Sequence, residues 1–140
     1  MRYLLDTMVV SEPARPIPHP GVVAWLEAQA DLDLGLSVLT VGELARGVAR
    51  MPEGKRKQAL AEWLESELPA QFEGRILAVE TPVALTWGAL TAEGERQGRP
   101  LHVVDGLLLA TAKVHGLTLV TRNVGDFQGR GVAVENPYGR

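Results

Sequence analysis

Short apolar runs alternate with longer amphipathic stretches along this chain, and the alternation is the first guide to its architecture. Residues 2–5 form a short, mostly apolar run that stops at Asp6, the pattern of a buried strand. Pro13, Pro16, Pro18 and Pro20 predict a loop, after which Val22, Val23, Trp25 and Leu26 supply the apolar face of a helix over residues 20–30. A turn at 31–35 leads into a short strand over 34–37. A helix follows over 40–50, stopped by Pro52 and Gly54. Residues 54–68 carry Leu60, Trp63, Leu64 and Leu68 at spacings of three and four, which predicts another helix. Residues 75–79 read as a third strand. A helix over 82–96 follows, with Val83, Leu85, Trp87 and Leu90 on its apolar side. The run 101–115 predicts an unusually apolar helix, stopped by Gly116. Residues 117–121 and 131–134 supply a fourth and a fifth strand. Strands that alternate with helices predict an α/β fold, a three-layer α/β/α sandwich on a mainly parallel sheet of about five strands.

Composition narrows the chemistry by exclusion. A chain of 140 residues is the size of one domain, 46% hydrophobic and 22% charged, as in ordinary globular proteins. No repeat or linker interrupts it, so a single domain over 1–140 is expected. There is no cysteine, which rules out disulfides, zinc–thiolate sites and a thiol nucleophile; a metal would need oxygen or imidazole ligands. His19, His102 and His115 show no metal-ligand spacing. The apolar start is broken by Asp6 and the run 101–114 by Asp105 and Lys113, so neither suits a signal peptide or a membrane span. A soluble, cytoplasmic protein is expected. The net charge of −3 lacks the basic surplus of many nucleic-acid binders, yet it suits an acidic site that needs a cation.

The chemistry-bearing residues fall beside strand ends. Asp6 follows the first predicted strand, Glu43 lies one turn into the helix after the second, and Asp105 sits near the start of the apolar helix. Asn123 and Asp126 follow the fourth strand. In parallel sheets, ligands bind outside the carboxyl ends of the strands at a switch in strand order, where these residues can converge. Each also has a plainer reading. Asp6 can cap the next helix, Thr40 and Glu43 match a capping box, Asp105 can be an N-cap, and Asp126 can serve an Asx turn. Asp105 fits its plain reading least, because Val103, Val104, Leu107, Leu108 and Leu109 surround it and an unpaired carboxylate there is costly. Carboxylates gathered at one edge repel unless a cation joins them. Hard oxygen ligands suit Mg²⁺ or Mn²⁺, whose chemistry serves phosphodiester hydrolysis. A phosphate-cradling G-x-x-x-x-G-K-[ST] loop, a dinucleotide fingerprint, and the acidic pairs of dehalogenase-like phosphatases and receiver domains are all absent.

Four motifs then carry a family resemblance. Leu4-Leu5-Asp6-Thr7-Met8-Val9-Val10-Ser11-Glu12 resembles the opening of bacterial PIN-domain proteins of the VapC and FitB type, whose usual form is LLDTNVxSE. Thr40-Val41-Gly42-Glu43-Leu44-Ala45-Arg46-Gly47-Val48 resembles their second acidic motif. Val104-Asp105-Gly106 with Ala110-Thr111-Ala112 resembles the third, and Leu119-Val120-Thr121-Arg122-Asn123-Val124-Gly125-Asp126-Phe127 the fourth. Val134-Glu135-Asn136-Pro137-Tyr138 resembles the tail. The resemblance implies a metal-dependent endoribonuclease, the toxin of a toxin–antitoxin pair, in which a metal-activated water attacks RNA. It implies Asp6, Glu43 and Asp105 as catalytic metal ligands for Mg²⁺ or Mn²⁺. Asp126 would be the fourth ligand, beside Asn123, which stands where some relatives carry the acid. It further implies hydroxyl support from Thr7 and Thr121, and Arg46 and Arg122 as RNA contacts. The partners implied are a VapB- or FitA-like antitoxin, a second copy of the chain, and operator DNA reached through the antitoxin. Met8 departs from the usual Asn, which fixes the loop by hydrogen bonding. The alternative reading is a FitB-like regulatory subunit with little nuclease activity; cleavage of DNA rather than RNA is a third.

Overall fold

The computed structural model describes residues 1–139. Its strands are β1 (Tyr3–Leu5), β2 (Leu34–Ser37), β3 (Ile76–Leu77), β4 (Thr118–Val120) and β5 (Val134–Glu135), in one sheet ordered β3-β2-β1-β4-β5. Every pairing is parallel. Leu4 lies beside Gly35 and Leu119, Leu5 beside Val120, Leu36 beside Ile76, and Leu119 beside Val134.

Side chains alternate across the sheet, so neighbouring strand residues serve opposite layers. Leu5, Leu34, Leu36 and Val120 enter one core with Val9, Val10, Val22, Trp25, Leu44, Leu68 and Phe72. Leu4 and Leu119 enter the other with Leu108, Leu109, Ala112, Leu117 and Phe127. The first layer is thus built from α1 (Thr7–Ser11), α2 (Pro20–Ala28), α3 (Val38–Ala49), α4 (Lys55–Glu62) and α5 (Leu68–Gln71). The second is built from α6 (Thr81–Arg96), α7 (Val103–His115) and α8 (Val124–Phe127). Burial on both faces explains why the strands read as continuous apolar runs rather than alternating ones. This is the three-layer α/β/α arrangement that the sequence pattern predicts. Among the described residues no helix is long and apolar enough to cross a membrane.

Several boundaries differ from the sequence expectation, each for a local reason. The fifth strand begins at Val134 rather than 131, because Gly129 and Gly131 take φ of +75° and +85° and turn the chain first. The third strand is only Ile76–Leu77, paired to Leu36 and Ser37, and such short edges discourage sheet-to-sheet association. The helix predicted over 54–68 is not uniform. It widens into a π-turn over Trp63–Glu67 before α5, with the Leu68 N–H bonded to the Trp63 carbonyl five residues back. Pro69 has no N–H to offer the Glu65 carbonyl, so the regular ladder cannot pass this point.

Two helix starts bear on the site. α3 begins at Val38, where the Ser37 hydroxyl caps it by accepting the Leu39 N–H at 3.1 Å. Thr40 is therefore inside the helix, buried with Oγ1 unpartnered, and the capping box with Glu43 does not form. α7 begins at Val103 with His102 at the cap, so Asp105 is the third helical residue and not an N-cap. Gly106 lets α7 lie against α6; a Cβ there would stand 3.0 Å from Trp87 Nε1.

α8 is a single turn, held down by Phe127, which is fully buried. Phe127→Ala should cost about 3–5 kcal/mol. Urea denaturation checks this, with a loss under about 1 kcal/mol contradicting the anchoring role.

Candidate active site

Strand order reverses between β1 and β4, and the crevice beyond their carboxyl ends is where a parallel sheet offers a binding site. Asp6 is the first residue past β1. Its backbone N–H donates to the Val120 carbonyl at 2.9 Å, extending the β1–β4 ladder by one residue. Its side chain is buried and both oxygens are engaged. Oδ1 accepts the Thr7 N–H at 2.7 Å, capping α1, and Oδ2 accepts the Thr121 hydroxyl at 2.7 Å. The capping role is therefore real, and it aims the carboxylate at β4. Thr121 Oγ1 in turn accepts the Asn123 N–H at 3.1 Å.

Glu43 stands exposed on α3 and accepts the Thr7 hydroxyl on Oε1 at 2.5 Å. Thr7 thus holds two carboxylates at once, one through its backbone and one through its side chain. Asp105 projects from the first turn of α7, half-buried, and accepts no hydrogen bond among the described residues. Burial, first of all, pushes its carboxyl above the ordinary aspartate range. The negative charges of Asp6, then Glu43, add to this, His102 opposes it, and Asp126 adds a smaller push. The four acids therefore share one electrostatic neighbourhood. Asp126 is its outlying member, exposed on α8, with no hydrogen bond to its carboxylate among the described residues, so the Asx turn is not formed. Asn123, at the start of α8, is exposed and its side chain caps nothing.

Among the described residues no three acidic or histidine side chains stand in an arrangement that already encloses a metal. The donor chemistry nevertheless fits a hard divalent cation: carboxylate oxygens gathered at one sheet edge, with Asp105 half-buried and unpartnered. Arg46 is exposed and makes no ion pair among the described residues. Arg122 is exposed too, with its guanidinium 5.1 Å from the centre of the Tyr138 ring.

Three residues here escaped the sequence reading. His102 stands at the N-cap position of α7 without a side-chain cap bond and opposes the upward push on Asp105. Glu12 is completely buried, accepting from His19 N–H at 2.8 Å and pairing with Arg15 at 3.4 Å, while the Tyr138 hydroxyl lies 3.0 Å away. Burial pushes the Glu12 carboxyl up, but the bonds from His19, Tyr138 and Arg15 outweigh it and leave it below the usual range. Tyr138 is raised by its own burial and by bonding to Glu12. Glu12 lies inside the first motif, yet its Pro-rich surroundings give no apolar signal of burial. Met8 is exposed on α1, and this short helix is held instead by Asp6, by the Ser11 hydroxyl on the Thr7 carbonyl at 2.8 Å, and by Tyr138 on the Met8 carbonyl at 3.1 Å.

The PIN domain family matches residues 3–128, nearly the whole span that builds this sheet and its acidic edge. The chain belongs to the PIN-domain family. It is 44% identical to Toxin FitB of Neisseria gonorrhoeae over 135 residues, covering 96% of this chain and 97% of that protein. It is 36% identical to VapC ribonuclease Y4jK of Sinorhizobium fredii, covering 96% of each. The crystal structure of FitAcB from Neisseria gonorrhoeae superposes with a TM-score of 0.94 at 43% identity, over 99% of both chains. FitAB bound to an IR36 DNA fragment superposes with a TM-score of 0.93 at 42% identity, over 97% of this chain and 95% of that one. The PIN fold and the VapC and FitB toxin relationship are thereby shown.

The raised Asp105 carboxyl has a measurable consequence. The folded chain binds its proton more tightly than the unfolded chain does. The resulting stability is full below the unfolded value of about 4 and is lost as pH rises through the folded value. Asp105→Asn removes a repelled charge, so the metal-free variant should melt above the parent at pH 7, with the gap closing toward pH 4. A variant that melts lower at pH 7 contradicts this electrostatic picture.

Proposed function

We propose that this chain is a metal-dependent endoribonuclease, the toxin of a toxin–antitoxin pair. The observation that carries the reading is the Asp105 carboxyl, raised by burial and by Asp6, Glu43 and Asp126 at the carboxyl edge of the sheet. Mg²⁺ or Mn²⁺ bound there would supply a water acidified for attack and charge stabilisation at the leaving oxygen of an in-line displacement. Asp6, Glu43 and Asp105 are the residues to hold it, with Asp126 as the fourth acid and Asn123 as an oxygen donor beside it. Thr121 orients Asp6, and Thr7 orients both Asp6 and Glu43. Arg122 and Arg46, both exposed, offer guanidinium groups to the RNA backbone.

The relatives support this reading: one is called a VapC ribonuclease, and a 26% identical one from Shigella flexneri a tRNA(fMet)-specific endonuclease. The FitAB–DNA complex supports a FitA-like antitoxin partner that brings the pair to operator DNA. Self-pairing into a homodimer and a cytoplasmic location complete the proposal. The same likeness to FitB, with a FitAB complex seen on DNA, favours a second reading as a regulatory subunit of little nuclease activity.

Purified, partner-free protein and its Asp105→Asn variant, incubated with structured RNAs with and without Mn²⁺, separate the two. Cleavage by the parent alone, and only with metal, is the expected result. Equal cleavage by both proteins, or none by either, overturns the enzymatic reading, and a DNA panel in the same assay identifies the backbone cut.

A further inference from the structure

Beyond the family match, the described chain runs on to Gly139 and ends in a short 3₁₀ turn, Pro137–Gly139, that packs on α2. The Asn136 side chain accepts the Tyr138 N–H at 2.9 Å and sets the turn. Tyr138 reaches back into the body of the protein, its hydroxyl 3.0 Å from Glu12 Oε2 and 3.1 Å from the Met8 carbonyl, sharing one proton between them. The His19 ring meets its ring edge-on at 5.3 Å. Two facts about this constellation have no role in the metal chemistry: a wholly buried carboxylate, Glu12, and an exposed arginine, Arg122, lying over a fixed aromatic ring.

We propose that Tyr138 is a positioning residue for Arg122. Its ring is the shelf that holds the guanidinium, and its hydroxyl ties that shelf to the first turn of α1, so that Arg122 meets an RNA phosphate lying at the carboxylate edge. The inference rests on the nuclease reading and adds to it what holds Arg122 in place.

A guanidinium is attracted to the negative face of a ring through its own flat face, which leaves its in-plane N–H groups free for a phosphate. Arg122 pairs with no carboxylate among the described residues, so its charge is available. A long side chain held in advance loses less freedom when it binds. Glu12 explains the rigidity. A buried carboxylate with this many partners fixes each of them, and Tyr138 is one. The position of the shelf is thereby referenced to the helix start that carries Asp6 and Thr7. Arg122 follows directly on Thr121, which lies just past β4 and holds Asp6.

The test is the salt dependence of binding to a short single-stranded RNA, in the Asp105→Asn background where the RNA stays intact. Each phosphate contact on single-stranded nucleic acid contributes about 0.7 to the slope of log affinity against log salt. Arg122→Ala should reduce the slope by about that amount and Tyr138→Leu by the same amount, with the double variant losing no more. Tyr138→Phe keeps the ring but cuts its tie to Met8 and Glu12, so it should lose less of the slope than Tyr138→Leu while melting below the parent, because Glu12 loses a donor. If Tyr138→Leu does not fold, Tyr138→Met removes the ring at similar volume and answers the same question. A slope reduced by Arg122→Ala but untouched by ring removal overturns the proposal, as does a slope that ignores Arg122. The predicted pattern without cleavage by the parent protein sinks the nuclease reading and leaves the shelf standing. Cleavage with unaffected slopes does the reverse, and RNA that binds no variant overturns both.

Discussion

Parallel pairing of β1 with β4 brings residues more than a hundred positions apart into one ladder, and the acidic edge depends on that register. Leu5 opposite Val120 sets Asp6 beside Thr121, where a hydroxyl–carboxylate bond of 2.7 Å closes the sheet's switch point. A one-residue slip would turn the apolar side chains of either strand to the wrong core and part Asp6 from Thr121. The two cores that fill opposite faces therefore enforce the site geometry as well as the fold. Thr7 carries the same constraint outward, linking Asp6 to Glu43 and α1 to α3.

Two acidic residues, buried to different degrees, show how environment separates structure from chemistry. Glu12 is wholly enclosed yet surrounded by donors, and its carboxyl sits below the usual range. Asp105 is half-buried without a hydrogen bond, faces other acids, and is pushed up. A satisfied carboxylate organises its neighbours; an unsatisfied one among like charges is a candidate for chemistry. Asp126 falls between these cases, exposed and only weakly coupled to Asp105, so it is the acid least committed to the cluster.

The alternation of apolar runs and amphipathic stretches made the layers and the five strands legible, since both rest on periodicities that short windows reveal. Helix starts were less legible. Thr40-Val41-Gly42-Glu43 has the residues of a capping box, but Ser37 three positions earlier wins the cap, because the strand ends there with its hydroxyl already placed. The π-turn before Leu68 and the late start of β5 depend on Pro69 and on left-handed glycines, whose effects are local and leave hydrophobic spacing unchanged. The acids of the site stood out through their positions beside strand ends. The Glu12–Tyr138 bond did not, because a contact across 126 residues between two polar positions leaves no periodic trace.

If the acidic edge exists to receive a cation, divalent metal must relieve its repulsion and stabilise the native state by mass action. Thermal melting at pH 7 across a Mn²⁺ titration measures this directly, with the protein and its Asp6→Asn and Glu43→Gln variants side by side. The account predicts a melting temperature that climbs with Mn²⁺ for the parent and stays nearly flat for both variants. A parent protein that ignores Mn²⁺, or variants that respond as strongly as the parent, would contradict it.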